Sequence, residues 1–231
     1  TDEEVINLVE QVLADYSNGL AVNPFKIHMP FFPDYYGWNN AMPSWLKRQN
    51  IHGIKWAGLG EYNPKKYGLP QCSAVIILND METAFPFALL DGTTVMSMRT
   101  GAAAAIMAKY CARKDSKIIT LIGAGVQGTS GLEMTLITMP HLEEIRVMDI
   151  RPEATKKVVE KFKDKYPQIK FVEYTDMDNA IKGTDIILTA VHAPGNAGRA
   201  ILDDVKMEKG VTLVEIAGGV SSNKIREEFD Y

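Results

Sequence analysis

Gly123, Gly125 and Gly128 follow an apolar run in "KIITLIGAGVQG" and spell Gly-x-Gly-x-x-Gly where a strand would pass into a helix. In such a turn Gly123 permits the tight bend, Gly125 lets a pyrophosphate approach the backbone, and Gly128 lets the helix lie close to the strand. With Ala124, Val126 and Gln127 between them, the loop offers free N–H groups and a helix N-terminus to phosphate. Asp149 stands about 20 residues further on, at the end of the next apolar run. A carboxylate there accepts hydrogen bonds from ribose hydroxyls and repels a 2′-phosphate, which predicts NAD. Arg151 keeps NADP possible, because its guanidinium suits adenine stacking, a 2′-phosphate, or a solvated helix start.

Ala190, Val191 and His192 follow another apolar run, "TDIILTAV", and are expected at the strand ends that line the same crevice. His192 is a weak candidate proton donor there, a polar loop residue being its other reading. Glu215, inside "VTLVEIAGG", is a second weak acid/base candidate if it faces the nicotinamide, and otherwise a strand-end ion-pair residue. Lys55 sits in the apolar stretch "IHGIKWA". An ammonium there is costly unless it faces a cleft, an anion or solvent at a sheet edge. No metal site is expected: His28, His52, His141 and His192 fall at no ligand spacing, and Cys72 and Cys111 are far apart.

The elements that must position these groups divide the chain in two. Thr1 and Glu4 form a capping box, and Val5, Leu8, Val9, Val12, Leu13 and Tyr16 recur at helical spacing until Gly19. Residues 23–50, with four prolines among aromatics, read as short extended pieces and turns. Strands are expected at 51–57, 72–79 and 84–91, the last two as a hairpin around "NDMET". An alanine-rich helix, "TGAAAAIMAKYCA", then leads into alternating strand and helix patterns, with five strands from "KIITLIG" to "VTLVEIAGG". The reading is therefore α/β: an α+β domain over 1–115, then a Rossmann-like, doubly wound parallel sheet over 116–231. That sheet is expected to be incomplete at the C-terminus, since such a domain has about six strands.

The stretch "FPFALLDGTTVMSMRTGAAAAIMAKYCARKDSKIITLIGAGVQG" resembles the ornithine cyclodeaminase/μ-crystallin family, which also includes an archaeal-type alanine dehydrogenase and ketimine reductases. The likeness runs from "NGLAVNPFKIHM" through "IKWAG" and "MDIRPEA" to "VEIAGG". It implies a homodimer whose N-terminal domain binds substrate and dimerises, closed over the nicotinamide by the Rossmann-like domain, with a C-terminal segment that this chain lacks. It also implies that Lys55 lies beside substrate and cofactor, and that Arg99 serves the cofactor phosphates or the substrate carboxylate. A forked guanidinium suits either anion, and also a domain-interface ion pair. Lys26, in "NPFKIHM", falls where the family has a carboxylate-binding arginine, keeping the charge but losing the fork. The family's Gly-x-Asp acid/base falls in "AGGVSSN", and no carboxylate lies between Glu215 and Glu227.

Composition agrees with an ordinary globular protein of 46% hydrophobic and 23% charged residues. A formal net charge of −4 without basic runs gives no footprint for nucleic acid or an anionic membrane. With no apolar run of about 18 residues and two separated cysteines, the chain reads as cytoplasmic. The expected activity is NAD-dependent hydride transfer at the Cα of a small amino or imino acid, as an amino acid dehydrogenase or imine reductase. The alternatives are a cyclodeaminase with catalytic NAD and a crystallin-like, dinucleotide-bound protein without turnover.

Overall fold

The computed structural model describes residues 1–191, 202, 205 and 207–216. They divide into two compact units, Asn7–Met98 and Thr1–Ile6 with the residues from Arg99 onward. In chain order the elements are α1 (Asp2–Ser17), β1 (Ala21–Val22), β2 (Ile27–Pro30), β3 (Gly37–Leu46), β4 (Ile51–Gly60), α2 (Asn63–Lys66), β5 (Cys72–Asp80), β6 (Pro86–Asp91) and α3 (Thr93–Cys111). They continue as β7 (Ile118–Ile122), α4 (Val126–Thr138), β8 (Glu144–Met148), α5 (Pro152–Lys163), β9 (Lys170–Tyr174), α6 (Met177–Ile181), β10 (Ile186–Thr189) and β11 (Thr212–Glu215).

The first unit is an antiparallel sheet in the order β1-β3-β4-β5-β6, with β2 also paired to β3. α1 opens as its capping box requires: Glu4 N donates to Thr1 Oγ1, and Glu4 Oε2 accepts from the Thr1 hydroxyl and amino groups. Arg48, just past β3, donates to both oxygens of buried Asp15 and ties that helix to the sheet. The β5–β6 hairpin turns on Asp80, whose Oδ1 accepts from Glu82 N, Thr83 N and the Thr83 hydroxyl.

β3 is the main departure from the sequence reading, a ten-residue strand through a stretch expected to hold only short pieces. Pro43 explains both outcomes. Proline removes a ladder donor and argues against a long strand. Yet β1 covers only Trp45 and Leu46, and β2 only Trp38–Ala41, so Pro43 falls where β3 has a neighbour on one side only.

The second unit is a five-stranded parallel sheet in the order β11-β10-β7-β8-β9, the arrangement of a Rossmann-like fold. Its central strands β10, β7 and β8 are buried on both faces, as helix crossovers require. Ile119, Leu121, Ile145, Val147 and Leu188 pack with Leu132 and Leu136 of α4 and Phe162 of α5. Ile122 and Ile187 pack on the other side with Ile181 of α6 and Leu202.

The compact units part inside α3, between Met98 and Arg99, rather than at 115/116. The helix has two loyalties: Met96 belongs with Ala57 and Ala74 of the antiparallel sheet, whereas Ala104 and Ala108 lie in the core of the parallel one. Alanine at the latter positions lets the helix approach closely, and neither position exposes more than 5% of its surface.

Candidate functional site

The glycine turn is built as its spacing predicts. Gly123, at φ +97°, takes a conformation that L side chains rarely adopt, and its N–H donates to Met148 O at 2.8 Å. A Cβ on Gly128 would stand 2.0 Å from the Gly123 carbonyl oxygen, so only glycine allows α4 to start this close to the turn. A Cβ on Gly125 would meet nothing within 4 Å. That open space lies at the helix cap, where Gly125 supplies no side-chain acceptor to the first turn of α4. Val126 is exposed, and Gln127 is half-buried, its buried Oε1 having no hydrogen-bond partner among the described residues.

Asp149 reaches back to this turn. Its Oδ2 accepts from Ala124 N at 2.8 Å, and its Oδ1 accepts from Arg151 N at 2.9 Å and Arg151 Nε at 3.1 Å. The Asp149 side chain is only 7% exposed, while that of Arg151 is 57% exposed. Burial pushes the Asp149 carboxyl up. The Arg151 guanidinium, with the Arg151 and Ala124 N–H groups, outweighs it and holds the carboxyl below the ordinary carboxylate range.

β10 ends beside the turn, with Ala190 N donating to Ile122 O at 2.9 Å. The Ala190 backbone and Val191 Cγ2 stand 2.9 Å from where a Gly123 Cβ would be. The glycines, Asp149, Arg151, Ala190 and Val191 are therefore gathered at the C-terminal strand ends where the sheet order reverses, between β7 and β10. Glu215 ends β11 directly opposite Thr189 of β10. Thr189, fully buried, holds a hydroxyl with no hydrogen-bond partner among the described residues, at an edge that sequence reasoning did not single out. His192 and the loop "AGGVSSN" lie outside the described residues.

In the antiparallel unit, Lys55 is half-buried at the centre of β4, opposite Met42 of β3 and Ile76 of β5. It is thus not on an edge strand. Lys26 is exposed just before β2. Arg99, on α3, is solvent-exposed. Partial desolvation by the surrounding protein lowers its pKa. His28 and Asn40, also missed as candidates, share the sheet face of Lys55: His28 opposes Asn40 across β2 and β3, and Asn40 opposes Ala57 on β4. A polar residue at an inward strand position would have been the signal, but β3 was not foreseen. Among the described residues, no three His, Cys, Asp or Glu side chains gather as metal ligands. No helix among them is long and apolar enough to cross a membrane.

Strand order, glycine turn and acidic strand end together define a Rossmann-like unit joined to an antiparallel α+β unit. More particularly, the chain belongs to the ornithine cyclodeaminase/mu-crystallin family, whose profile matches residues 1–227. It is 36% identical over 150 residues to N-((2S)-2-amino-2-carboxyethyl)-L-glutamate dehydrogenase of Staphylococcus aureus, covering 64% of this chain and 45% of that protein. Among solved structures it resembles Δ(1)-pyrroline-2-carboxylate reductase of Thermococcus litoralis in complex with NADH and L-proline. The TM-score is 0.75 at 36% identity, over 82% of this chain and 57% of that one. It also resembles an archaeal alanine dehydrogenase dimer with bound NAD, at TM-score 0.74 and 35% identity, over 82% and 56% of the two chains. The chain thus spans about half the length of the relatives it matches.

Proposed function

We propose that the chain carries the NAD-binding and substrate-binding parts of an enzyme that transfers hydride at the Cα of a small amino or imino acid. The carrying observation is the glycine turn with Asp149. The open space at Gly125 is what a pyrophosphate needs, and the carboxylate of Asp149 lies within reach of the turn's own backbone. Gly123, Ala124, Gly125, Val126, Gln127 and Gly128 would hold the pyrophosphate, Asp149 and Arg151 the adenosine ribose, and Ala190 and Val191 the crevice wall. When bound, the nicotinamide supplies the hydride acceptor or donor. The relatives that act on alanine and on a cyclic imino acid, with NAD or NADH, support both cofactor and substrate class.

In this reading Lys26, Lys55 and Arg99 hold the substrate carboxylate or the cofactor phosphates. Arg99, exposed on α3, can offer its guanidinium to an anion from solvent. Glu215 and His192 remain weaker acid/base candidates. A homodimer is proposed through the sheet face opposite Lys55, where Trp45, Trp56, Val75 and Leu89 are all exposed. An apolar face of this kind is rarely left to water. Free Cys72 and Cys111 suit the cytoplasm.

The test is a spectrophotometric assay on the intact natural polypeptide. Loss of reduced-nicotinamide absorbance with Δ(1)-pyrroline-2-carboxylate, or its gain with L-alanine or L-proline, supports the reading. Ammonia released without net NADH would make the protein a cyclodeaminase, and dinucleotide binding without turnover would make it a binder.

A further inference from the structure

We infer that His28, oriented by Asn40, is the acid/base that exchanges a proton with the substrate nitrogen. This rests on the hydride-transfer reading above and deepens it. His28 Nδ1 lies 2.7 Å from Asn40 Oδ1. An amide oxygen only accepts, so the bond places the hydrogen on Nδ1 and leaves Nε2 to a ligand, as base when the ring is neutral and as acid when it is charged. Asn40 is 4% exposed in the centre of β3, whereas His28 is exposed on β2. The Trp38 ring lies 6.0 Å from the imidazole at an interplanar angle of 50° and limits its swing on one side. A buried amide thus anchors a solvent-reachable imidazole.

Register places this pair on the Lys55 side of the sheet. His28, Asn40 and Ala57 are opposite one another on β2, β3 and β4, and Met42 and Lys55 are the next same-face pair along. Two strand spacings of about 4.8 Å and two residues of about 3.4 Å separate the Cα atoms of His28 and Lys55 by about 12 Å. Both side chains are long enough to shorten that gap to the span of a small imino acid, whose carboxylate would meet the ammonium and whose nitrogen would meet Nε2. Neither end needs the carboxylate that "AGGVSSN" lacks.

In the reducing direction NADH is the reductant. Hydride adds to Cα, the C=N π pair moves onto nitrogen, and that pair takes the proton from His28 Nε2. The product is the amine, with NAD and a neutral imidazole that regains its proton from solvent. Oxidation of an amino acid runs the same bonds backwards, the neutral imidazole removing the amine proton.

The experiment compares wild type with His28→Ala, at an exposed position and with its fold checked by circular dichroism, on Δ(1)-pyrroline-2-carboxylate with NADH. The expected result is a kcat lower by about 10²-fold or more, an NADH dissociation constant unchanged, and partial recovery on adding free imidazole. Asn40→Ala should lower kcat by roughly tenfold, and Asn40→Asp should recover part of that loss. As a readout independent of turnover, titrating wild type with L-proline should shift the His28 ring resonances in NMR spectra. A kcat within about threefold of wild type, or a loss that imidazole does not relieve with ring resonances unmoved by L-proline, overturns the assignment. Wild type that binds NADH yet turns over no imino or amino acid overturns the hydride-transfer reading itself, and this inference with it.

Discussion

Gly125 and Gly128 stand three residues apart in one turn, yet the structure gives them opposite reasons for being glycine, and a pair of alanine substitutions separates them. In Gly128→Ala the new methyl would lie 2.0 Å from the Gly123 oxygen, 3.1 Å from Leu121 Cδ1 and 3.2 Å from Ala190 Cβ. Carbon and oxygen rest at about 3.3 Å or more, so turn and helix must part by roughly 1 Å. The turn is held to β8 by Gly123 N to Met148 O and the helix to the turn by Thr129 N to Gly125 O, so the cost belongs at the upper end of the usual overpacking range, about 3 kcal/mol. At about 2–4 °C per kcal/mol for a chain of this size, the melting temperature falls by about 6–12 °C. In Gly125→Ala the methyl enters empty space, at φ −81° and ψ −172°, which alanine adopts freely. Losing glycine's unfolded-state freedom stabilises by about 0.4–1 kcal/mol, so the melting temperature holds or rises slightly. What suffers is the pyrophosphate: NADH affinity should fall at least tenfold, about 1.4 kcal/mol. Circular dichroism melts without dinucleotide and fluorescence titration with NADH read the two effects separately. If Gly125→Ala melts as low as Gly128→Ala, or binds NADH like wild type, the division of labour is refuted.

Asp149→Ala removes the acceptor of Ala124 N–H and the Arg151 guanidinium, costing about 1–3 kcal/mol in chemical denaturation. It should also bring the NADH and NADPH dissociation constants together. The Asp149 pKa is lower folded than its unfolded value of about 3.9. Its stabilisation is therefore complete above that value and drains away as pH falls through it towards the folded pKa; Asp149→Asn should lose less melting temperature than wild type between about pH 5 and about pH 3. Lys55→Met is expected to raise KM for the imino acid by tenfold or more with NADH binding unchanged, and an equal effect on both ligands would remove Lys55 from the substrate site. Trp56, 41% exposed on the outward sheet face, tests the dimer: Trp56→Asp should sediment as monomer where wild type does not.

The parallel unit was legible because its signals are local. The apolar run of β7, the glycines and the carboxylate after β8 lie within about 35 residues, and strand–helix alternation fixes how they must meet. Even the position of Ala190 and Val191 follows, since a strand that crosses to the other side of β7 must end at the same crevice. What local pattern does not reveal is the allegiance of α3. Its alanines read as a helix joining two halves, but only packing shows that Met96 serves one sheet and Ala104 the other.

The antiparallel unit was less legible for a different reason. Its chemistry depends on which residues stand opposite each other, and register is set by the pairing of whole strands rather than by the spacing of a few residues. β3 pairs with β4 over ten residues, yet its own sequence, "GWNNAMPSWL", carries a proline and two asparagines that argue against a strand. Without β3 there is no Asn40 beside His28, and without their common face there is no reason to set either beside Lys55. A shift of one residue in β3 would turn Asn40 to the far face and leave His28 opposite Asn39 or Ala41. The pairing Met42↔Lys55 and Asn40↔His28 therefore stands or falls as a unit. That makes Asn40 the sharpest probe of the substrate side: it lies on β3, outside the glycine turn and the Asp149 strand end, yet its substitution should alter the proton step that the imidazole performs.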